Sequence, residues 1–173
     1  MALLEIKKYP DKVLKQKTQE LSNIDGNTQK LIDDMLETMH NVRGLGLAAN
    51  QVGISQRLCV IDLSIKEDNK IPVIILINPV IVESEGAIDA EEGCLSLPGY
   101  MSSIKRAEKV FVKGLNREGK PFELEASGLL ARALQHEIDH LEGMLMFDRM
   151  SPIKREFFKR KYLRDIRKIK TDK

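Results

Sequence analysis

The stretch Ser127-Gly128-Leu129-Leu130-Ala131-Arg132-Ala133-Leu134-Gln135-His136-Glu137-Ile138-Asp139-His140-Leu141-Glu142-Gly143 decides how this chain is built. Leu130, Leu134, Ile138 and Leu141 recur at three- and four-residue spacing, which predicts an amphipathic helix. Ser127 is a residue type that caps helix starts, and Gly143 one that ends them, so the helix is expected to run to about Glu142. On its other side His136 and His140 stand four residues apart, so both imidazoles leave one face.

Outward from this helix the chain reads as helix and strands in turn. Leu31, Ile32, Met35, Leu36 and Met39 predict a helix from about Asn27 to Val42, with Asn27 or Asp25 as its cap. The segments 58–63, 73–78 and 79–85 are short, apolar and rich in β-branched residues, and are expected as three strands. Asn116-Arg117-Glu118-Gly119 between 110–115 and 120–125 is a hairpin signal. The stretch from about Glu91 to Gly99 is expected as a turn, and a last helix opens at Ser151-Pro152. The expectation is an α+β fold: mostly antiparallel sheets packed around the central histidine-bearing helix, with an N-terminal and a C-terminal helix. Residues 1–150 are expected to form one catalytic domain, with a basic helix, 151–173, appended to it.

A chain of 173 residues can bury a full core, so it needs no structural metal or disulfide to fold. It has two cysteines, Cys59 and Cys94, too few for a disulfide framework. No apolar run approaches the ~20 residues of a membrane span, and the first residues do not form a signal peptide. A cytoplasmic protein without membrane contact is expected. The net charge of +2 conceals an asymmetry. Residues 151–173 hold ten Lys or Arg against three acids, a charge of +7; the remaining 18 basic and 23 acidic residues leave 1–150 at −5.

His136-Glu137-Ile138-Asp139-His140 is a metal-site pattern. Two imidazoles one turn apart can take adjacent corners of a tetrahedral metal, and Glu137 can reach a coordinated water without being a ligand. The pattern points to a metal-dependent hydrolase, against the plainer reading of two core or surface histidines. The extended protease form would need a third histidine three residues past Gly143, where this chain has Met146. Glu156, the only Glu beyond Glu142, lies in the basic tail. Cys94, in Glu92-Gly93-Cys94-Leu95-Ser96, is the better third ligand, because a thiolate binds Zn²⁺ or Fe²⁺ strongly and the trio leaves one position open for water. The alternative for Cys94 is a small buried hydrophobe. That alternative is preferred for Cys59, inside an apolar strand. His40, at the end of a helix, suits a terminal role better than ligation.

Three motifs stand in order: Gly44-Leu45-Gly46-Leu47-Ala48-Ala49-Asn50-Gln51, then Glu92-Gly93-Cys94-Leu95-Ser96, then Gln135-His136-Glu137-Ile138-Asp139-His140. Together they resemble the signature motifs of the peptide deformylases, in the compact bacterial form with a C-terminal helix. The resemblance implies removal of the formyl group from N-formylmethionyl nascent polypeptides. It implies one divalent metal, Fe²⁺ as the native ion, with Zn²⁺, Ni²⁺ or Co²⁺ in purified samples. By the same resemblance Cys94, His136 and His140 bind the metal and Glu137 is the general acid/base. Gln51 and the backbone N–H of Leu95 are the oxyanion donors, and Leu45 and Gly46 present backbone to the peptide. Without it, Gln51 would read as a surface polar residue and the glycines as loop punctuation.

Leu129 and Ala133 share a stripe with His136 and His140. They are candidates for the wall of a methionine pocket, or for ordinary core packing. Glu92 and Arg106 match recurrent family positions and can pair near the pocket. Asp139 matches too, with a hydrogen bond behind the ligands as one candidate role. Met101 stands where relatives have Arg, which removes a charged contact to the peptide.

In the tail, Ile153, Phe157, Tyr162 or Lys161, Leu163 and Ile166 give an imperfect apolar stripe, with basic residues around it. A solvated surface helix is the plain reading. Contact with ribosomal RNA is the sharper one, suggested by related enzymes and permitted by the charge. Nothing in the sequence sets the oligomeric state. Two other readings of the whole remain open here: a metallopeptidase acting on ordinary amides, and a nonenzymatic ribosome- or nucleic-acid-binding protein with a closed structural metal.

Overall fold

The computed structural model describes residues 2–66 and 71–171. Asp172 and Lys173 of the basic tail lie outside the described residues. Among the described residues seven strands and three α-helices follow one another: α1 Gly26–Asn41, β1 Gly46–Ala48, β2 Leu58–Ile61, β3 Ile74–Glu85, β4 Ile88–Gly93, β5 Met101–Arg106, β6 Lys109–Leu115, β7 Pro121–Ser127, α2 Gly128–Leu141 and α3 Pro152–Thr171. Five strands form one sheet in the order β1-β2-β3-β6-β7, and β4 pairs with β5 alone. All of these strand pairs are antiparallel. The α+β expectation is met.

Alternation along the central strands explains the layers. In β2, Cys59 and Ile61 turn toward α2, where they meet Leu134, Ile138 and Leu141. Leu58 and Val60 turn the other way, toward Ile32, Met35 and Met39 of α1. A strand with both faces covered has to read as an unbroken apolar run, which is how Leu58-Cys59-Val60-Ile61 appears in the sequence. The edge strand β1 divides likewise, Ala48 to one side and Leu47 to the other.

Several boundaries differ from expectation. The segments expected as two strands, 73–78 and 79–85, are one strand, β3, bent by irregular pairing between Ile77 and Val80. Asn78 marks the bend with φ +52. Its side-chain amide bonds both backbone groups of Leu21, at 2.9 Å each. Glu91–Gly93 belong to β4 rather than to the expected turn, which begins at Cys94. Asp25, not Asn27, caps α1, accepting from the N–H groups of Asn27 and Thr28. Ser127 occupies the capping position of α2 but makes no side-chain cap bond; it ends β7, paired with Lys109. Gly143 ends α2 as expected, at φ +73, and a Cβ there would fall 2.8 Å from the Lys15 carbonyl carbon.

The tail's apolar stripe also falls differently. Tyr162 is 1% exposed, whereas Ile153 and Phe157 are 72% and 70% exposed. The face of α3 that packs carries Phe158, Tyr162, Leu163 and Ile166, against Leu14, Leu97, Ile104 and Phe147. None of the described helices is long and apolar enough to cross a membrane.

Candidate active site

Helix α2 presents His136 and His140 toward the turn that follows β4, and Cys94 is the first residue of that turn. The His140 Nε2 is 3.3 Å from the Cys94 Sγ and 3.1 Å from the His136 Nε2. The donor atoms of the three residues all lie within 4.8 Å of one another. A tetrahedral ion with bonds of ~2.3 Å to sulfur and ~2.0 Å to nitrogen separates its ligand atoms by roughly 3.3–3.6 Å. The convergence fits one metal ion and suits its preference for a thiolate with two imidazoles.

The far nitrogen of His136 fixes which nitrogen faces that centre. Its Nδ1 is 3.0 Å from Glu92 Oε2, so the ring donates there and leaves Nε2 free to ligate. Arg106 forks onto the same carboxylate, Nε to Oε1 at 2.8 Å and Nη2 to Oε2 at 2.9 Å. Its third nitrogen, Nη1, reaches Asp139 Oδ2 at 2.5 Å. Arg149 grips Asp139 from the other side, at 2.9 and 2.5 Å. Burial alone would raise the Glu92 carboxyl, but the Arg106 fork and His136 overcome it and bring it down to about 2. Asn50 ties the end of α2 to the segment after β1, donating to the His140 carbonyl at 2.5 Å.

Glu137 lies between the ligands on α2, 4% exposed. Its Oε2 is buried without a hydrogen-bond partner among the described residues. Burial pushes its carboxyl up to about 7, the range in which one group can both take and return a proton at neutral pH. Gln51 is held by the Ala48 N–H, which donates to its Oε1 at 2.9 Å. That orientation aims its NH₂ at Ser96 Oγ, 3.1 Å away, and toward Cys94 Sγ at 3.8 Å. The Leu95 N–H has no acceptor among the described residues.

These groups open into a cleft of about 1390 Å³ that Leu45, Gly46, Leu129, Ala133, His136 and Glu137 help to line. Of the ten residues singled out for the site from the sequence, nine line this cleft and the tenth, His140, is buried beside Cys94. His40 is elsewhere, its Nε2 on Asp62 Oδ2 at 2.8 Å. Cys59 is fully buried in β2 and burial pushes its thiol far up. Sequence reasoning missed Asn50, Ser96 and Arg149. The first two carried a signal, since they neighbour Gln51 and Leu95 within the motifs; Arg149 carried none.

A family model of the polypeptide deformylases matches residues 3–156. The chain is 61% identical over 162 residues to a peptide deformylase of Thermodesulfovibrio yellowstonii, covering 94% of this chain and 98% of that one. The solved structure of a peptide deformylase from Legionella pneumophila superposes with a TM-score of 0.88 at 45% identity, covering 99% of each chain. One from Ehrlichia chaffeensis in complex with actinonin also gives 0.88, at 38% identity, covering 97% of this chain and 98% of that one. With fold, cleft and sequence in agreement over nearly its whole length, the chain belongs to the polypeptide deformylase family.

Proposed function

We propose that Cys94, His136 and His140 hold one divalent metal in this chain and that Glu137 moves the proton when the formyl group leaves. As a family member the chain is a metal-dependent hydrolase that removes the N-formyl group from the N-terminal formyl-methionine of new polypeptides. The observation that carries the residue assignment is the convergence of a thiolate and two imidazoles beside a buried carboxylate with an unused oxygen.

A divalent metal held by Cys94, His136 and His140 would supply a Lewis acid able to bring the pKa of water down to about 7. Glu137 takes the proton of the attacking water and returns it to the leaving amine. Gln51 Nε2 and the Leu95 N–H donate to the formyl oxygen as charge builds on it. Donors fixed in advance need no reorganisation during reaction, and each is typically worth ~10²–10³-fold in rate. β1 is an edge strand, so Gly46, with the Leu45 N–H just before it, can offer backbone groups to an extended peptide that pairs alongside. Ala133, one turn before His136, and Leu129, two turns before it, form the wall for the methionine side chain.

Fe²⁺ is the proposed native ion, with Zn²⁺, Ni²⁺ or Co²⁺ able to replace it; elemental analysis of anaerobically purified protein tests this. The cytoplasm is the proposed location. We also propose that the basic face of α3, the helix appended to the catalytic body 1–150, contacts ribosomal RNA. Unchanged ribosome binding at low salt after removal of α3 would refute that.

The principal test is a direct assay. Metal-loaded protein should release formate from formyl-Met-Ala-Ser, and leave acetyl-Met-Ala-Ser and internal peptide bonds intact. Absence of formate release would overturn the proposal.

A further inference from the structure

The turn that presents Cys94 has no strand partner among the described residues, and its two halves are held by different parts of the fold. Among the described residues its internal backbone bonds are the Leu97 N–H on the Cys94 carbonyl at 2.9 Å and the Tyr100 N–H on the Leu97 carbonyl at 3.3 Å. Its front half is tied down at Ser96, whose carbonyl accepts from the Tyr9 N–H at 3.0 Å and whose hydroxyl accepts from Gln51 at 3.1 Å. The back half is held by α3. The Tyr100 hydroxyl donates to Asp165 Oδ2 at 2.6 Å. The Tyr100 ring stands edge-on to Tyr162, at 4.9 Å, and to Phe158, at 5.6 Å. Lys161 Nζ lies 5.9 Å over the same ring. Tyr162 is buried in the apolar cluster against which Cys94 itself packs. Tyr100 also lines the cleft.

We propose that Asp165 and Tyr162 of the C-terminal helix are positioning residues for the active site: they hold Tyr100, and through it the turn that presents the Cys94 thiolate and the Leu95 N–H. A turn with two internal hydrogen bonds has little stability of its own. The hydrogen bond from a phenol to a carboxylate is of the strong, charge-assisted kind, and the aromatic contacts add directional packing. Releasing Tyr100 frees the segment behind Ser96, including Leu97, whose N–H on the Cys94 carbonyl at 2.9 Å passes that freedom to the ligand residue itself. The ligand and the donor then sample positions away from the reacting centre, and misplacement by about 1 Å is enough to cost rate. The helix thus supports two parts of the site without touching substrate.

The inference rests on Cys94 as a metal ligand, and the experiment separates the two. The full-length chain is loaded with Co²⁺, and its sulfur-to-cobalt charge-transfer absorption is recorded. Absence of that band in the unaltered protein defeats the ligand assignment before any variant is compared. Given the band, Asp165→Ala and Tyr100→Phe should each shift it and speed metal loss to a chelator by about three- to tenfold. The double variant should do no more than either single one. Asp165→Asn keeps an oxygen that accepts from the phenol, and should restore most of the unaltered behaviour. Tyr100→Phe preserves the ring packing, so it reports on the hydrogen bond even where Asp165→Ala loosens the helix. Lowered thermal stability with an unchanged band and unchanged metal loss in both variants would show a merely structural contact and overturn the proposal.

Discussion

Gly46 faces Glu137 so closely that a Cβ on Gly46 would fall 2.7 Å from the Glu137 carboxylate carbon and 2.9 Å from its Cγ. The edge strand that lines the cleft and the proposed proton-transfer group therefore share one space, and only a residue without a side chain leaves room for both.

Gly46→Ala should accordingly displace Glu137 while leaving the fold intact. A shift of about 1 Å in a reacting group can cost ~10²-fold, and a fall in kcat/KM of roughly that size is expected, with circular dichroism unchanged. Activity within about twofold of the unaltered protein would show that the carboxylate has another place to go.

Glu137 and Gln51 should fail differently from the ligands. Glu137→Ala removes proton transfer, worth typically ~10²–10⁴-fold, and Gln51→Ala removes one oxyanion donor, worth ~10²–10³-fold. Both variants should retain one equivalent of metal, because neither side chain is among the three donors. Metal content measured beside formate release checks this; loss of metal from Glu137→Ala would make it a ligand rather than a base.

The parts of this architecture that local chemistry dictates could be read from the sequence, and the parts set by tertiary contact could not. Helix α2 declared itself through Leu130, Leu134, Ile138 and Leu141, and the β6–β7 hairpin through Asn116, whose side chain accepts from the N–H groups of Glu118 and Lys120. The β4–β5 pair was invisible, since Ile88-Asp89-Ala90-Glu91-Glu92 is acidic and mostly exposed; Glu92, opposite Ser102 in the ladder, is the buried acid among them and meets the Arg106 side chain. On α3 the expected stripe was right at Tyr162, Leu163 and Ile166 and misplaced at Ile153 and Phe157, because aromatic partners Tyr9, Tyr100 and Phe147 select Phe158 and Tyr162. Ligand spacing within α2 was legible for the same reason the helix was. Cys94 came from its chemistry, and Gln51 and Leu95 came only through likeness to a family.

Arg106 joins two buried carboxylates, Glu92 and Asp139, and is itself 4% exposed. Removing one member of such a set leaves charge buried without compensation, at a cost of ~3–5 kcal/mol. Arg106→Met keeps the stem and removes the charge. At about 2–4 °C per kcal/mol for a domain of this size, Tm should fall by roughly 6–20 °C. Metal binding should weaken as well, because Glu92 no longer has a fixed position from which to orient His136. A melting temperature within about 2 °C of the unaltered protein would mean that Arg149 alone compensates both acids.

Metal removal should expose one cysteine and not the other. Cys59 is buried within β2, and burial pushes its thiol so far up that it stays protonated through the neutral range. The thiolate is the reactive form, so Cys59 should resist a thiol reagent until the protein unfolds. Cys94 opens on the cleft and should be protected by metal and labelled without it. The expected stoichiometry is none in the loaded protein, one in the stripped protein and two in denaturant. Mass spectrometry locates the label, and modification of Cys94 at equal rates with and without metal would contradict its role as ligand.

The contact between Tyr100 and Asp165 should give α3 docking a defined pH window. The carboxylate raises the phenol from its ordinary 10.0 to about 12, and the phenol's hydrogen bond holds Asp165 below its ordinary 3.8. A group whose folded pKa is raised lends stability fully below its unfolded pKa, and loses it as pH climbs through the folded value. One whose folded pKa is lowered lends stability above its unfolded pKa, and loses it as pH falls through the folded value. The difference in urea midpoint between the unaltered chain and Tyr100→Phe should therefore be constant from about pH 5 to 9 and shrink on either side. Asp165→Asn has no carboxylate to protonate, so its own difference from the Tyr100→Phe, Asp165→Asn double variant should stay level through the acid range. An acid decline that persists in that pair would assign the titration to another carboxylate.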